Sequence, residues 1–155
     1  MPAPTKETNM LAVILSGHGA FASGMAQAVH QVIGEQPQFR FIDFPEQMTT
    51  PQLDVAMRQT MDEIDTGDGI VFLTDLLGGT PFRIASLLSL EREDIEVVTG
   101  TNMQMAAEML LERDALSLVE FRNLALECGH RGITCLATEM AEETSTSTVV
   151  EEDGI

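Results

Sequence analysis

A chain of 155 residues with 44% apolar side chains suits one domain with a substantial core, and it is too hydrophobic for a disordered protein. Acidic residues outnumber basic ones 25 to 8, a net charge of −17, which argues against nucleic acid or anionic membrane as target and favours a partner with a basic face. Cys128 and Cys135 are too few for a disulfide framework, no apolar run approaches the ~20 residues of a membrane span, and residues 1–9 lack the apolar stretch of a secretory leader, so a cytoplasmic location is expected.

Solubility alone would account for the same charge. Residues 1–9 read as a loose extension. Met10 to Leu15 is a nearly continuous apolar run, as in a strand covered on both faces. Ser16-Gly-His-Gly19 reads as a turn. Phe21 to Ile33 follows as a helix, its apolar residues at helical spacing, stopped by Gly34. Phe39 to Phe44 is a second strand. Thr49-Thr50-Pro51 supplies a candidate N-cap and a proline at the first helical position, and Leu53, Met57, Thr60, Met61 and Ile64 trace one helical face.

Ile70 to Thr74 is the third strand. In the loop after it, Thr80 reads as an N-cap and Pro81 as the first helical residue, opening a helix over Phe82 to Leu90. Ile95 to Thr99 is the fourth strand. Asn102 is placed to cap a helix from Met103, and Ser117-Leu-Val-Glu120 matches a capping box for a helix to about Cys128. Gly129-His-Arg-Gly132 reads as its end, with His130 as a C-terminal cap. Ile133 to Ala137 is a candidate fifth strand. From Glu139 the chain turns to Glu, Ser and Thr, and a disordered acidic tail is expected over 139–155. Strands alternating with helices predict an α/β, doubly wound fold: a mainly parallel four-stranded sheet with helices on both faces, in one domain over 10–138.

The ends of the first, third and fourth strands share one edge of such a sheet. That topology can bring His18 and Asp75 together although they are far apart in sequence. A carboxylate on one ring nitrogen fixes the tautomer and leaves the other nitrogen nucleophilic. Gly78, Gly79 and Thr80 before a helix offer N–H groups, a hydroxyl and the positive end of a dipole, an anion cradle. Ser16, Arg83 and Asn102 are candidate contacts to a phosphate or a partner. Each piece alone has a plainer reading: a turn histidine, an aspartate capping a turn, a tight connection, a surface arginine. Together they make a phosphoryl-transfer site. His30 belongs on the exposed side of the first helix. The sequence contains no nucleotide-binding loop and no zinc-spaced cluster, so no cofactor and no metal are expected.

Ser16-Gly-His-Gly19, Thr74-Asp-Leu-Leu-Gly-Gly-Thr-Pro-Phe82 and Thr99-Gly-Thr-Asn102 resemble the IIA component of the mannose-family phosphotransferase system, from about Met10 to Leu136. Phe39-Arg-Phe-Ile-Asp-Phe-Pro45, Gly79-Thr-Pro-Phe-Arg83 and Glu127-Cys-Gly-His-Arg-Gly132 look most like its N-acetylgalactosamine/galactosamine branch. The resemblance implies that His18 takes a phosphoryl group from the phosphohistidine of HPr on Nε2 and passes it to a histidine of IIB, which phosphorylates the sugar during import through IIC/IID. It implies that Asp75 bonds the other ring nitrogen and that Thr80 contacts the phosphoryl group. It also implies a homodimer whose last strand, here Ile133 to Ala137, crosses antiparallel to the partner's sheet, and a IIB that is a separate protein. The resemblance implies that IIA does not touch the sugar, whose selection resides in IIB and the membrane components, and the extension and acidic tail have no counterpart in its pattern. Three rivals share parts of this pattern: a phosphoryl donor subunit for a dihydroxyacetone kinase, a phosphohistidine hydrolase, and a non-catalytic regulatory domain. The hydrolase lacks support, because Gly17 stands where histidine phosphatases carry an arginine.

Overall fold

The computed structural model describes residues 10–146. Its elements run β1 (Ala12–His18), α1 (Phe21–Ile33), β2 (Phe39–Phe44), α2 (Thr50–Ile64), β3 (Ile70–Thr74), α3 (Thr80–Ser89), β4 (Ile95–Val98), α4 (Met103–Glu112), α5 (Leu118–Arg131) and α6 (Leu136–Thr146). The four strands are parallel in the order β2-β1-β3-β4. β1 and β3 are the central strands, and their apolar runs are buried on both faces, as the unbroken hydrophobicity predicts.

Two apolar layers sandwich the sheet. Val13, Leu15, Val71 and Leu73 pack with residues of α1, α4 and α5 on one face, among them Val29, Met109 and Phe121. Ile14, Ile70 and Phe72 pack with α2 and α3 on the other, against Leu53, Met57, Ile84 and Leu88. The strand order reverses direction between β1 and β3. That switch point lies between the carboxyl ends of these two strands, the place where ligands of open α/β sheets gather.

Local signals set several boundaries. Thr49 and Gln52 form a reciprocal capping box at α2, with bonds of 2.8 and 3.2 Å, and Ser117 and Glu120 form another at α5, at 2.9 and 3.1 Å. Four boundaries differ from those expected. β1 continues through Ser16 and Gly17 to His18, because its pairing with β2 runs on to the His18–Phe44 register. α3 is capped by Gly79, with Thr80 already its first residue and no side-chain cap bond. Gly129 does not end α5 but lies buried inside it, where a Cβ would sit 2.7 Å from Met105 Cε. His130 is therefore an exposed residue of the last turn of α5 and not its cap.

The fourth difference concerns the C-terminus. Ile133 to Ala137 forms no strand; its last two residues open α6, which carries the acidic segment as a helix as far as Thr146. Leu136, Ala137, Glu139, Met140, Ala141, Glu142 and Glu143 are good helix formers, and no sheet edge within the described chain pairs with this segment. The N-terminal extension and the rest of the expected tail lie outside the described residues.

One buried cation was not foreseen. Arg113, directly after α4, is fully buried and reaches the amino end of the sheet, where it donates to the carbonyls of Leu11 (3.1 Å), Gln38 (3.0 Å) and Pro37. It ties α4 to β1 and to the connection into β2.

Candidate functional site

The site grows from the end of β1. Gly19 takes a φ of +55°, a conformation natural to glycine, and its N–H donates to Phe44 O at 2.8 Å, so the chain leaves the strand and enters α1 within two residues. α1 has Ala20 at its N-cap and no capping side chain on its own segment. Asp43, at the end of β2, supplies the missing acceptor: its Oδ1 takes the Ser23 N–H at 2.8 Å.

His18 stands at this corner. Asp75, the first residue after β3, accepts both the backbone N–H of His18 (2.8 Å) and its ring Nδ1–H (2.9 Å) through Oδ2. The bond at Nδ1 places the ring proton there and leaves the lone pair of Nε2 open. The His18 side chain is 45% exposed and that of Asp75 only 14%, so the ring is reachable from solvent while its orienting group is not.

The opposite ring edge faces α3. A Cβ added to Gly79 would lie 2.6 Å from His18 Cε1 and 3.4 Å from Nε2, so only glycine lets the imidazole rest on the helix entrance. Gly78 (φ +79°) turns the chain, and the Gly79 N–H closes that turn on Leu76 O at 3.0 Å. Pro81 has no N–H to satisfy, and no side chain caps α3. The positive end of the α3 dipole therefore lies beside Nε2, with the Thr80 residue at its first position. Gly17 is required for a different reason: a Cβ there would meet Phe21 Cδ1 at 2.4 Å and Asp75 Cγ at 3.0 Å.

Some expected contacts serve the fold instead. Ser16 is wholly buried and its hydroxyl donates to Ile42 O at 2.9 Å, so it does not open onto the site. Asn102 is also committed: Oδ1 accepts the Met105 N–H at 2.9 Å and Nδ2 donates to Gly129 O at 2.9 Å, joining α4 to α5. Arg83 is exposed on the first turn of α3, and its side chain makes no hydrogen bond or ion pair with any described residue. His30 is exposed on α1, away from this corner.

Phe44 was missed from the sequence. Its ring meets the His18 imidazole edge-on, with centroids 5.8 Å apart and planes at 75°. The only signal for it was its place at the end of the second strand. Leu76 and Leu77, 58% and 73% exposed, form an apolar rim on the loop beside Asp75. Among the described residues no group of His, Cys, Asp and Glu could hold a metal ion.

Comparison with known proteins bears on the family and the fold. The family described as EIIA-man, PTS system fructose IIA component, matches residues 12–126. The mannose-specific EIIAB component of Escherichia coli K12 is 31% identical over 134 residues, covering 86% of this chain but 42% of the relative, so the chain spans less than half the length of that protein. The putative phosphotransferase enzyme IIA component YadI of the same organism is 30% identical over 127 residues, 82% of this chain and 87% of the relative. A crystal structure of phosphotransferase system component EIIA from Streptococcus agalactiae superposes with a TM-score of 0.77 at 32% identity, covering 83% of this chain and 99% of the other. A mannose/sorbose-specific IIA subunit from Enterococcus faecalis, 20% identical with a TM-score of 0.76, shares the fold. The chain therefore belongs to the mannose-type EIIA family of the phosphotransferase system.

Proposed function

We propose that this protein is a phosphohistidine relay in sugar import, with His18 as the carrier and Asp75 as the residue that orients it. The observation that carries this reading is the polarity of the imidazole: Nδ1 bonded to Asp75 and Nε2 laid against the uncapped start of α3. The Nε2 lone pair attacks the phosphorus of a phosphohistidine on HPr. The donor's N–P bond breaks as the new one forms, and the donor imidazole keeps the electron pair. The Nδ1 proton stays in place, so the phosphorylated ring is cationic, and Asp75 stabilises it. The helix entrance, with Gly78, Gly79 and Thr80, offsets charge on the phosphoryl oxygens. The same geometry in reverse passes the group to a histidine of IIB.

Further parts of the reading follow from partners rather than chemistry. A net charge of −17 speeds encounter with a basic docking face, and the exposed Leu76 and Leu77 offer apolar contact beside His18. The sugar would be of the N-acetylgalactosamine/galactosamine type, selected by the IIB, IIC and IID components. A cytoplasmic homodimer completes the proposal; the exposed Ile133, Leu136 and Met140 support a subunit contact through the C-terminal segment, which sedimentation would detect. No described helix is long and apolar enough to cross a membrane.

The test is incubation with phosphoenolpyruvate, enzyme I and HPr, followed by mass spectrometry of the protein. One acid-labile phosphate on the wild type and none on His18→Ala is expected. An unlabelled wild type, or label that persists in His18→Ala, overturns the reading.

A further inference from the structure

Three neighbours stand around the His18 imidazole. Asp75 holds Nδ1 at 2.9 Å, and Gly79 lets the Cε1–Nε2 edge rest on the start of α3. The third is Phe44, whose ring centroid lies 5.8 Å from that of the imidazole with the planes at 75°, and which takes no part in the bond at Nδ1 or in the anion cradle. Its place is set by the sheet. His18 and Phe44 are partners in the parallel register of β1 and β2, and side chains at paired positions stand on the same sheet face. Phe44 O accepts the Gly19 N–H at 2.8 Å, which ties the chain to β2 directly after His18. Along β2, Ile42 and Phe44 share the face that packs with α2 and α3, while Phe39 packs on the opposite face. Phe44 is therefore anchored against an apolar layer and also meets the imidazole.

We propose that Phe44 is a positioning residue for His18, a stiff aromatic wall that sets the plane of the imidazole and keeps the Nε2 lone pair aimed for in-line transfer. The hydrogen bond to Asp75 fixes one ring atom, and the outer torsion of a histidine is broad, with no sharp well to set the tilt of the ring. The side chain is 45% exposed, and solvent does not supply that constraint. Packing must. Gly79 bounds the ring from α3, and Phe44 bounds it from β2. An aromatic ring suits the task because it is rigid and favours this edge-to-face approach, whereas an aliphatic side chain fills space without holding an angle. The hold on the ring rests on the packing alone; its effect on transfer rests on the phosphocarrier reading.

Phe44→Leu removes the aromatic ring, and Phe44→Tyr keeps it. In nuclear magnetic resonance spectra of the unphosphorylated protein, the His18 ring protons should shift and the Nδ1–H signal should broaden in Phe44→Leu, with both close to wild type in Phe44→Tyr. That readout works even if the wild type accepts no phosphate, so it separates this proposal from the phosphocarrier reading. Phosphoryl uptake from phospho-HPr should fall about 10-fold in Phe44→Leu with the KM for phospho-HPr unchanged, and Phe44→Tyr should restore it. Where Phe44→Leu does not fold, Phe44→Met, longer but flexible, takes its place in every measurement. His18 resonances that stay as in wild type without the aromatic ring overturn the proposal. So does a raised KM with the maximal rate kept, which would make Phe44 a docking contact, and so do equal losses in the Leu and Tyr variants.

Discussion

A single oxygen of Asp75 holds His18 twice, accepting its backbone N–H at 2.8 Å and its ring Nδ1 at 2.9 Å. Strand end and side chain are thus fixed by the same atom, and the imidazole is presented as a rigid unit. Asp75→Asn keeps the shape and one acceptor oxygen but removes the charge that steadies a cationic phosphoimidazole. Phosphoryl uptake, followed by rapid quench, should slow roughly 10- to 100-fold, with the thermal midpoint little changed. An unchanged rate would remove Asp75 from the mechanism.

Gly79→Ala tests the resting place of the ring. The backbone at Gly79 has φ −71°, which alanine adopts freely, so any effect comes from the methyl group. That methyl would sit 2.6 Å from His18 Cε1 and must push the imidazole aside. A displacement of this kind should cost about 100-fold in transfer rate while leaving the fold intact, checked by stopped mixing with phospho-HPr and by circular dichroism.

Arg113 carries a stability prediction. Burial pushes its guanidinium down to about 10, still charged at neutral pH; three main-chain carbonyls accept from its two terminal nitrogens, while its buried Nε has no partner among the described residues. Arg113→Ala leaves a cavity and buried carbonyls without their donor. Urea unfolding should report a loss of about 3 kcal/mol, with phosphoryl uptake by the folded fraction preserved because the residue lies at the opposite edge of the sheet from His18.

Acid should weaken the seam between α2 and β4. The hydrogen bonds from Arg92 hold the Asp94 carboxyl below its ordinary value, and Arg92 also pairs with Asp65 at 2.8 Å. A carboxylate with a depressed folded value adds stability above the ordinary carboxylate range, and that stability is lost as pH falls through the folded value. Asp94 is 40% exposed, so solvent screening keeps its share below about 1 kcal/mol. Urea midpoints should fall from neutral to acid pH, and the gap between wild type and Asp94→Asn should close in acid.

The two thiols should react differently. Burial, and then the bond to Glu108, push the Cys128 thiol up, while the Thr138 hydroxyl draws the exposed Cys135 thiol down. Since the thiolate is the nucleophile, iodoacetamide should label Cys135 at neutral pH and reach Cys128 only on unfolding. Peptide mapping of the native protein reads this directly.

Most of the fold was legible because its signals are local. The bounds of α1, β2 and β3 follow from periodicity and stop residues, and both capping boxes form between residues three apart. Gly129 misled because a buried glycine inside a helix has the same letter as one that ends it; what distinguishes them is Met105 on a neighbouring helix. Ile133 to Ala137 misled because five apolar and β-branched residues suit a strand only where a sheet edge receives them.

The sequence by itself determined the parallel α/β layering and the groups at its carboxyl edge: an imidazole, a carboxylate and a glycine-rich helix entrance, each at a strand end. Those assignments rest on repeating patterns within a few residues, where backbone geometry alone sets who meets whom. Only the tertiary structure decided that Ser16 and Asn102 are committed to the scaffold, that Asp43 caps a helix it does not belong to, and that Phe44 flanks the imidazole. Such contacts join residues brought together by strand order and register, and their distances depend on how the layers pack, which no local pattern encodes.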